Sequence, residues 1–528
     1  MKIDIHQQLQ ALDFGVVAAY LLMLVGIGAY VSFRKKKEEQ DDYFLAGKSL
    51  NWYSIGLTMW GTNVGPSMLI ASCAIGYTTG IVAGNFSWYA FVFICLLALV
   101  FAPRYQSAGI STLPEFMGKR FNDTTRELLA WYTLVTVLIS WLGITLYAGG
   151  LLVSQIMDWP LWLSVVSLML LASFFAIAGG LEAIAVTNVF QMILLIVASS
   201  ILVIAGLVQL GGVDRLIAEV PADYWRLFLP GDSPDYPWTA IVLGYPVLGV
   251  WFWCTDQSMV QSVLGAKTLQ QGQVGTNLAG WLKILDVPLF ILPGIICYLL
   301  YPNLPDPNEA YMTMVTGLLP AGLVGLVMAV LIAALVSTID SALNSLGTVF
   351  TVDIYLKRFR PEAPPRQVIR VGRTIMVVGS VLAVLIALSL DKIRGMDLFS
   401  LFQAILGYLA PPMAAVFLLG VLWKRATARA ANVGLVLGSV VSLAVGFMQL
   451  LEVPSPSFWP HFLLVSFYLF VFIIVLMVVV TLLEKEQADA TITLADLFKE
   501  QGYRPSPKVV KLWGVLFVVM GILYVLFN

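Results

Sequence analysis

Apolar residues along this chain fall in long blocks, and short polar segments separate them. A bilayer core of about 30 Å is crossed by roughly 20 apolar residues in a helix. Windows of that length predict about fourteen membrane-spanning helices, near 12–33, 52–79, 81–103, 127–156, 160–179, 184–209, 237–262, 276–301, 318–355, 368–389, 398–422, 428–450, 459–483 and 508–527. The expected fold class is an all-α polytopic membrane protein.

The interruptions within these blocks carry the chemistry. The second block is broken by Gly61-Thr-Asn-Val-Gly-Pro66, where Pro66 withdraws a backbone donor and the glycines loosen the helix. Unwound backbone at membrane depth is tolerated inside protein or beside a cavity, and its carbonyls can bind a cation; a plain proline kink is the competing reading. Asn63 sits at the break, with Ser67 and Met68 just beyond. The block at 318–355 contains a polar seam, since Ser337, Asp340, Ser341 and Asn344 fall on one helical face with Ala334 and Thr338 one step round. Small hydroxyl residues at such spacing also serve helix packing. Asp340 shifts the balance, because a carboxylate in lipid costs a few kcal/mol and calls for a partner, a cation or water. Hydroxyls, carbonyls and one carboxylate are hard oxygen ligands, suited to sodium.

Other blocks hold fewer polar residues. Asn85-Phe-Ser-Trp88 reads equally as solute contact or helix packing, and Gly249-Val-Trp-Phe-Trp-Cys-Thr-Asp-Gln257 as a stacking and hydrogen-bonding surface or an interfacial aromatic belt. Lys283 and Asp286 lie three residues apart on one face, which permits a mutual ion pair or a pocket role for Lys283. Asn188 is expected at the mouth of the sixth span. Pro411-Pro412 is expected to break the span at 398–422, and 211–237 reads as an external loop.

Composition narrows the function classes. Of 528 residues 59% are hydrophobic and 12% charged, with two histidines and a net charge of -1, so neither a soluble enzyme nor a nucleic-acid partner is indicated. Cys73, Cys95, Cys254 and Cys297 form no CxxC pair, and no nucleophile and base constellation is visible. Met1 to Leu9 is polar, so no cleavable leader is expected. Basic clusters at Arg34-Lys-Lys-Lys37, Lys119-Arg120, Lys357-Arg358 and Lys424-Arg425 place these ends in the cytoplasm and, with an even number of spans, both termini outside. The first span, Leu12 to Phe33, reads as a peripheral helix.

Several strings resemble the sodium:solute symporter family, most closely its sodium/glucose cotransporter branch. They are Asp42-Tyr-Phe-Leu-Ala-Gly-Lys-Ser-Leu50, Thr112-Leu-Pro-Glu-Phe116 with Lys119-Arg-Phe121, Gly179-Gly-Leu181, Trp253-Cys-Thr-Asp-Gln257, Leu343-Asn-Ser345 with Phe350-Thr-Val-Asp-Ile-Tyr355, and Pro411-Pro-Met-Ala-Ala-Val-Phe-Leu-Leu419 with Trp423-Lys-Arg425. The resemblance implies a LeuT-type 5+5 inverted repeat, alternating access and solute uptake driven by sodium across a plasma membrane, here a bacterial inner membrane. Its division would be 1–51 for the first helix and basic loop, 52–210 and 237–422 for the two repeats, 211–236 for the external loop and 423–528 for peripheral helices.

Carried over by position, the resemblance implies a sodium site from carbonyls of Gly61, Val64 and Ala334 with hydroxyls of Ser337 and Thr338. A second sodium site would use Ser337, Asp340, Ser341 and Asn188, with the carboxylate moved from the sixth span to Asp340; proton binding at Asp340 is the rival. The implied solute positions are Asn63, Lys283 and Gln403, together with Ser87, Met68, Gly249 and Phe252, where the pattern departs from the sugar-binding one. The implied solute is a monosaccharide or polyol. Alternatives are an organic anion neutralised by Lys283, an amino-acid-like solute, or a sensor or channel on the same scaffold.

Overall fold

The computed structural model describes residues 9–34, 43–233, 236–390, 398–451, 453–484 and 504–528. Among these residues the chain is helical throughout, with two isolated β-bridges and no sheet. Eleven helices are long and apolar enough to cross a membrane. In order they are α1 (Ala11–Arg34), α4 (Ile81–Ser107), α5 (Asp123–Met157), α6 (Leu161–Leu210), α9 (Leu269–Leu300), α10 (Leu323–Phe359), α11 (Pro365–Leu390), α12 (Leu398–Leu422), α13 (Ala428–Leu450), α14 (Phe462–Leu483) and α15 (Pro507–Leu526). The interrupted segments supply the shorter helices α2 (Trp52–Asn63), α3 (Pro66–Thr79), α7 (Ala240–Thr255) and α8 (Gln257–Leu264).

Backbone chemistry explains the interruptions. In α6, Gly180 takes φ +59°, which separates the spans expected at 160–179 and 184–209. A side chain there would lie 2.2 Å from the Tyr43 carbonyl oxygen. The Tyr43 hydroxyl donates to the carbonyls of Ala176 and Ile177 at 3.0 and 2.8 Å, on the turn just before the break. Between α2 and α3 only Val64 and Gly65 leave the helix. Between α7 and α8 the extended residue is Asp256, whose carboxylate caps α8 through the amides of Ser258 and Met259 and accepts the Trp141 indole at 3.0 Å.

One expectation changes here. α12 runs unbroken through Pro411 and Pro412. Packing against α13 and α14 supports it where the prolines withdraw their donors. The segment after α6, expected as an external loop, is ordered. It forms short helices at Val213–Glu219 and Ala222–Trp225, buries Leu227, and donates the Leu227 amide to the Phe527 carbonyl at 2.9 Å.

α10 is the centre of the bundle: 89% of its apolar stretch is buried, against 22% for α1. Its broadest partner is α6. α1 packs on both, and Asp13 in its first turn reaches the start of α10, accepting the amides of Gly322 and Gly325 at 2.7 and 2.8 Å. Gly322 has φ +87° and no side chain to cap the helix, so α1 provides the cap from outside.

Candidate functional site

Two buried polar clusters flank the break between α2 and α3. The first joins the break to α10. Pro66 has no N–H to offer the Thr62 carbonyl, and the Thr338 hydroxyl lies 3.3 Å from that oxygen and 3.2 Å from the Ala334 carbonyl. The Gly65 amide turns to the Asn63 carbonyl at 3.1 Å, which deprives the Gly61 carbonyl of its helical donor. The Thr62 hydroxyl donates to Ser341 at 3.0 Å, and Ser341 donates to Asp340 at 3.3 Å. Thr62 was absent from the sequence expectation, although Pro66 four residues later marks its carbonyl as free.

Much of this cluster lacks hydrogen-bond partners among the described residues. Ser337 Oγ, Asp340 Oδ2, Ser345 Oγ and both amide atoms of Asn188, Gln191 and Asn344 are buried and unpartnered. Buried polar groups normally find partners, since leaving one without costs about 1–3 kcal/mol. Hydroxyl, carboxylate and amide oxygens of this kind are hard ligands that suit a small hard cation. Asn188 on α6 is fully buried, and no hydrogen bond joins it to Asp340.

The second cluster joins the break to α4 and α9, and it is fully paired. Lys283 Nζ donates to Asn63 Oδ1 at 2.7 Å and forms an ion pair with Asp286 Oδ2, while lying 5.8 Å from the Trp253 ring centre. Asp286 also accepts the Trp60 indole at 2.8 Å and the Ser87 hydroxyl at 2.7 Å. Lys283 and Asp286 are each 1% exposed. The ion pair and the contact with Asn63 therefore coexist. Directly after Asp286 the helix widens into a π turn at Val287–Ile291. Pro288 leaves the Ile284 carbonyl without its donor, and the Trp88 indole meets that oxygen at 3.2 Å.

The remaining solute positions are placed differently. Phe252 packs on Trp141 and Trp253, with ring centres 5.2 and 5.0 Å away. Gly249 lies against Phe93, whose ring would be 2.4 Å from an added Cβ, so a larger residue there would displace that ring. Met68 is half-buried beyond the break. The side chains of Gln403 and Ser67 lie outside the described residues, as do Asp42 and Lys35 to Lys37. The acid and amide after the aromatic run are engaged structurally, Asp256 as a cap and Gln257 on the Leu113 amide at 2.9 Å. Trp251 and Trp253 are buried, so they form no interfacial belt. Asn85 ties the Leu227 carbonyl and the Tyr524 hydroxyl together, which is packing.

Residues 43–438 match the sodium:solute symporter family. The chain belongs to that family. Among its relatives, this symporter is 33% identical to the sodium/mannose cotransporter of Bos taurus over 487 residues, covering 85% of this chain and 81% of the relative. It is 31% identical to sodium/glucose cotransporter 4 of Danio rerio, covering 84% and 72%, and 30% identical to the sodium/myo-inositol cotransporter of Mus musculus, covering 88% and 71%. Its fold is similar to the solved substrate-bound, outward-open state of a Na+-coupled sialic acid symporter, with a TM-score of 0.79 at 20% identity over 90% of this chain and 99% of the other. The symporter is a multi-pass secondary transporter that couples a small polar solute to sodium, and it is not a catalytic enzyme.

Proposed function

We propose that this symporter carries a monosaccharide or polyol inward with sodium by alternating access, through fourteen spans that include a LeuT-type 5+5 inverted repeat. Counting α6 as two spans and each interrupted pair as one supports that number. The repeats would be 52–210 and 237–422, with 1–51, 211–236 and 423–528 outside them. Both termini would face outward from a bacterial inner membrane, following the basic clusters.

The observation that carries this reading is the shared hinge: Thr62 faces the oxygens of α10, and Asn63, the next residue, holds Lys283. Sodium would take the carbonyls of Gly61, Val64 and Ala334 with the hydroxyls of Ser337 and Thr338. A second sodium would take Ser337, Asp340, Ser341 and Asn188. Asn63, Lys283, Ser87 and Gln403 would meet solute hydroxyls, with Met68, Gly249 and Phe252 bordering them. Coupling follows when sodium binds one arrangement of the break better than the other and the solute shares that preference. The glucose, mannose and inositol cotransporters among the relatives support a polyhydroxylated solute. The second reading is an organic anion held by Lys283, which requires Lys283 to give up its pairing with Asp286.

Uptake of labelled glucose, mannose and myo-inositol into proteoliposomes tests the proposal. Accumulation under an inward sodium gradient, lost when potassium replaces sodium, is expected. Uptake indifferent to sodium would overturn it.

A further inference from the structure

We infer that Asp286 adapts this site to electrically neutral solutes bearing adjacent hydroxyls and excludes anions. The inference rests on the sugar or polyol reading and concerns what Lys283 is free to do. Lys283 does not face the site as an open cation, because Asp286 one turn along the same helix neutralises it. Both groups are enclosed, so the pair is poorly screened and costly to separate.

The hydrogen bonds around the pair define the ligand. Asp286 holds three donors, namely the Trp60 indole, the Ser87 hydroxyl and the Lys283 ammonium. Lys283 holds one neutral acceptor, Asn63 Oδ1. Two adjacent solute hydroxyls can take over the neutral partners: one donates to the carboxylate in place of Ser87, the other accepts from Lys283 in place of Asn63. The ion pair stays intact throughout. Ser87 and Asn63 keep short polar side chains that can turn to the other hydroxyls. An anionic solute has no such exchange. To bind Lys283 it would face the Asp286 carboxylate or displace it, and a buried carboxylate would be left uncompensated. A neutral solute is then favoured over its carboxylate analogue by roughly 100-fold or more.

Ser87 and Asp286 act together across two helices. α4 contributes a hydroxyl and α9 the charge, and their 2.7 Å hydrogen bond places both at the level of the break. Asp286 is thus a specificity-determining residue of the solute site, and Ser87 orients it.

The test uses the full-length symporter in proteoliposomes with an inward sodium gradient, and thermal shift in detergent for binding. The probes are glucose, mannose and myo-inositol against glucuronate and gluconate. The wild type is expected to accumulate a neutral probe and to be inhibited by the anions at least 100-fold more weakly. D286N is expected to lose at least tenfold in neutral uptake and to gain thermal stabilisation by an anion in sodium, because Lys283 is then uncompensated. D286E should restore neutral preference in part, and S87A should raise KM severalfold without any gain for anions. If D286N does not fold, K283Q/D286N keeps the site neutral and should fold, and it should show no gain for anions. D286N that transports neutral probes normally and still rejects anions would overturn the inference, leaving Asp286 a structural partner of Lys283. A wild type that prefers an anion under the sodium gradient would overturn it too, while leaving sodium symport standing. Uptake without sodium dependence would instead remove the transport reading beneath it.

Discussion

The two polar clusters beside the break differ in how far their members satisfy one another. Around α10 the side chains of Asn188, Gln191, Ser337 and Asn344 lack partners among the described residues, whereas Lys283, Asp286, Asn63, Ser87 and Trp60 satisfy one another. The difference separates two ways of building a binding site. An unsatisfied cluster gains stability when a ligand of suitable chemistry enters, because the cost of burying its oxygens has already been met. A satisfied cluster binds only by exchanging partners, so it selects ligands able to make the exchange. The first arrangement suits an ion chosen by charge and size. The second suits a solute chosen by its hydroxyl pattern.

The largest effect should come from breaking the satisfied cluster. Lys283→Ala leaves Asp286 buried without its cation and should cost about 3–5 kcal/mol, seen as a large fall in detergent Tm. K283M/D286L, which removes both charges, should recover most of that stability while losing solute uptake. A double variant no more stable than K283A would mean that the pair is not the source of the loss.

The unsatisfied cluster should respond in the opposite sense. Ser337→Ala removes an unpartnered hydroxyl, so the protein without sodium should keep its Tm or rise slightly. Its apparent sodium affinity should nevertheless fall about tenfold or more, equivalent to about 1.4 kcal/mol. Sodium, but not potassium, should raise the Tm of the wild type by mass action, and that shift should shrink in the variant. Asp340→Asn should lower the Hill coefficient of transport for sodium. An unchanged coefficient would take Asp340 out of sodium binding.

Asp13, another buried carboxylate, offers a smaller control, since its partners are backbone amides at the start of α10. Asp13→Ala should cost about 1–2 kcal/mol through loss of the cap, with little change in which solute is carried. A change in solute preference would show that α1 reaches the site as well as supporting it.

The helices, the break at 61–66 and the polar face of α10 were legible in the sequence. Apolar block length, proline and glycine placement, and the spacing of 337, 340, 341 and 344 are local properties, and membrane burial forces the backbone to obey them. The sequence also placed Lys283 and Asp286 on one face, because a helix alone determines that geometry. What it left open was which partners each would choose. Trp60, Thr62 and Ser87 reach residues 226, 279 and 199 positions away in the chain. Contacts of that range depend on how the helices rotate about one another, and rotation is decided by packing across the whole bundle. The same holds for Gly249, packed against Phe93, for Asp256, taken up as a helix cap, and for Pro411 and Pro412, carried within α12 by the helices around it. The chain by itself determined where polar groups would be buried. Only the tertiary structure decided which of them are paired and which are left for a ligand, because a side chain's hydrogen-bond partners are set by the neighbours it meets and not by its own helix.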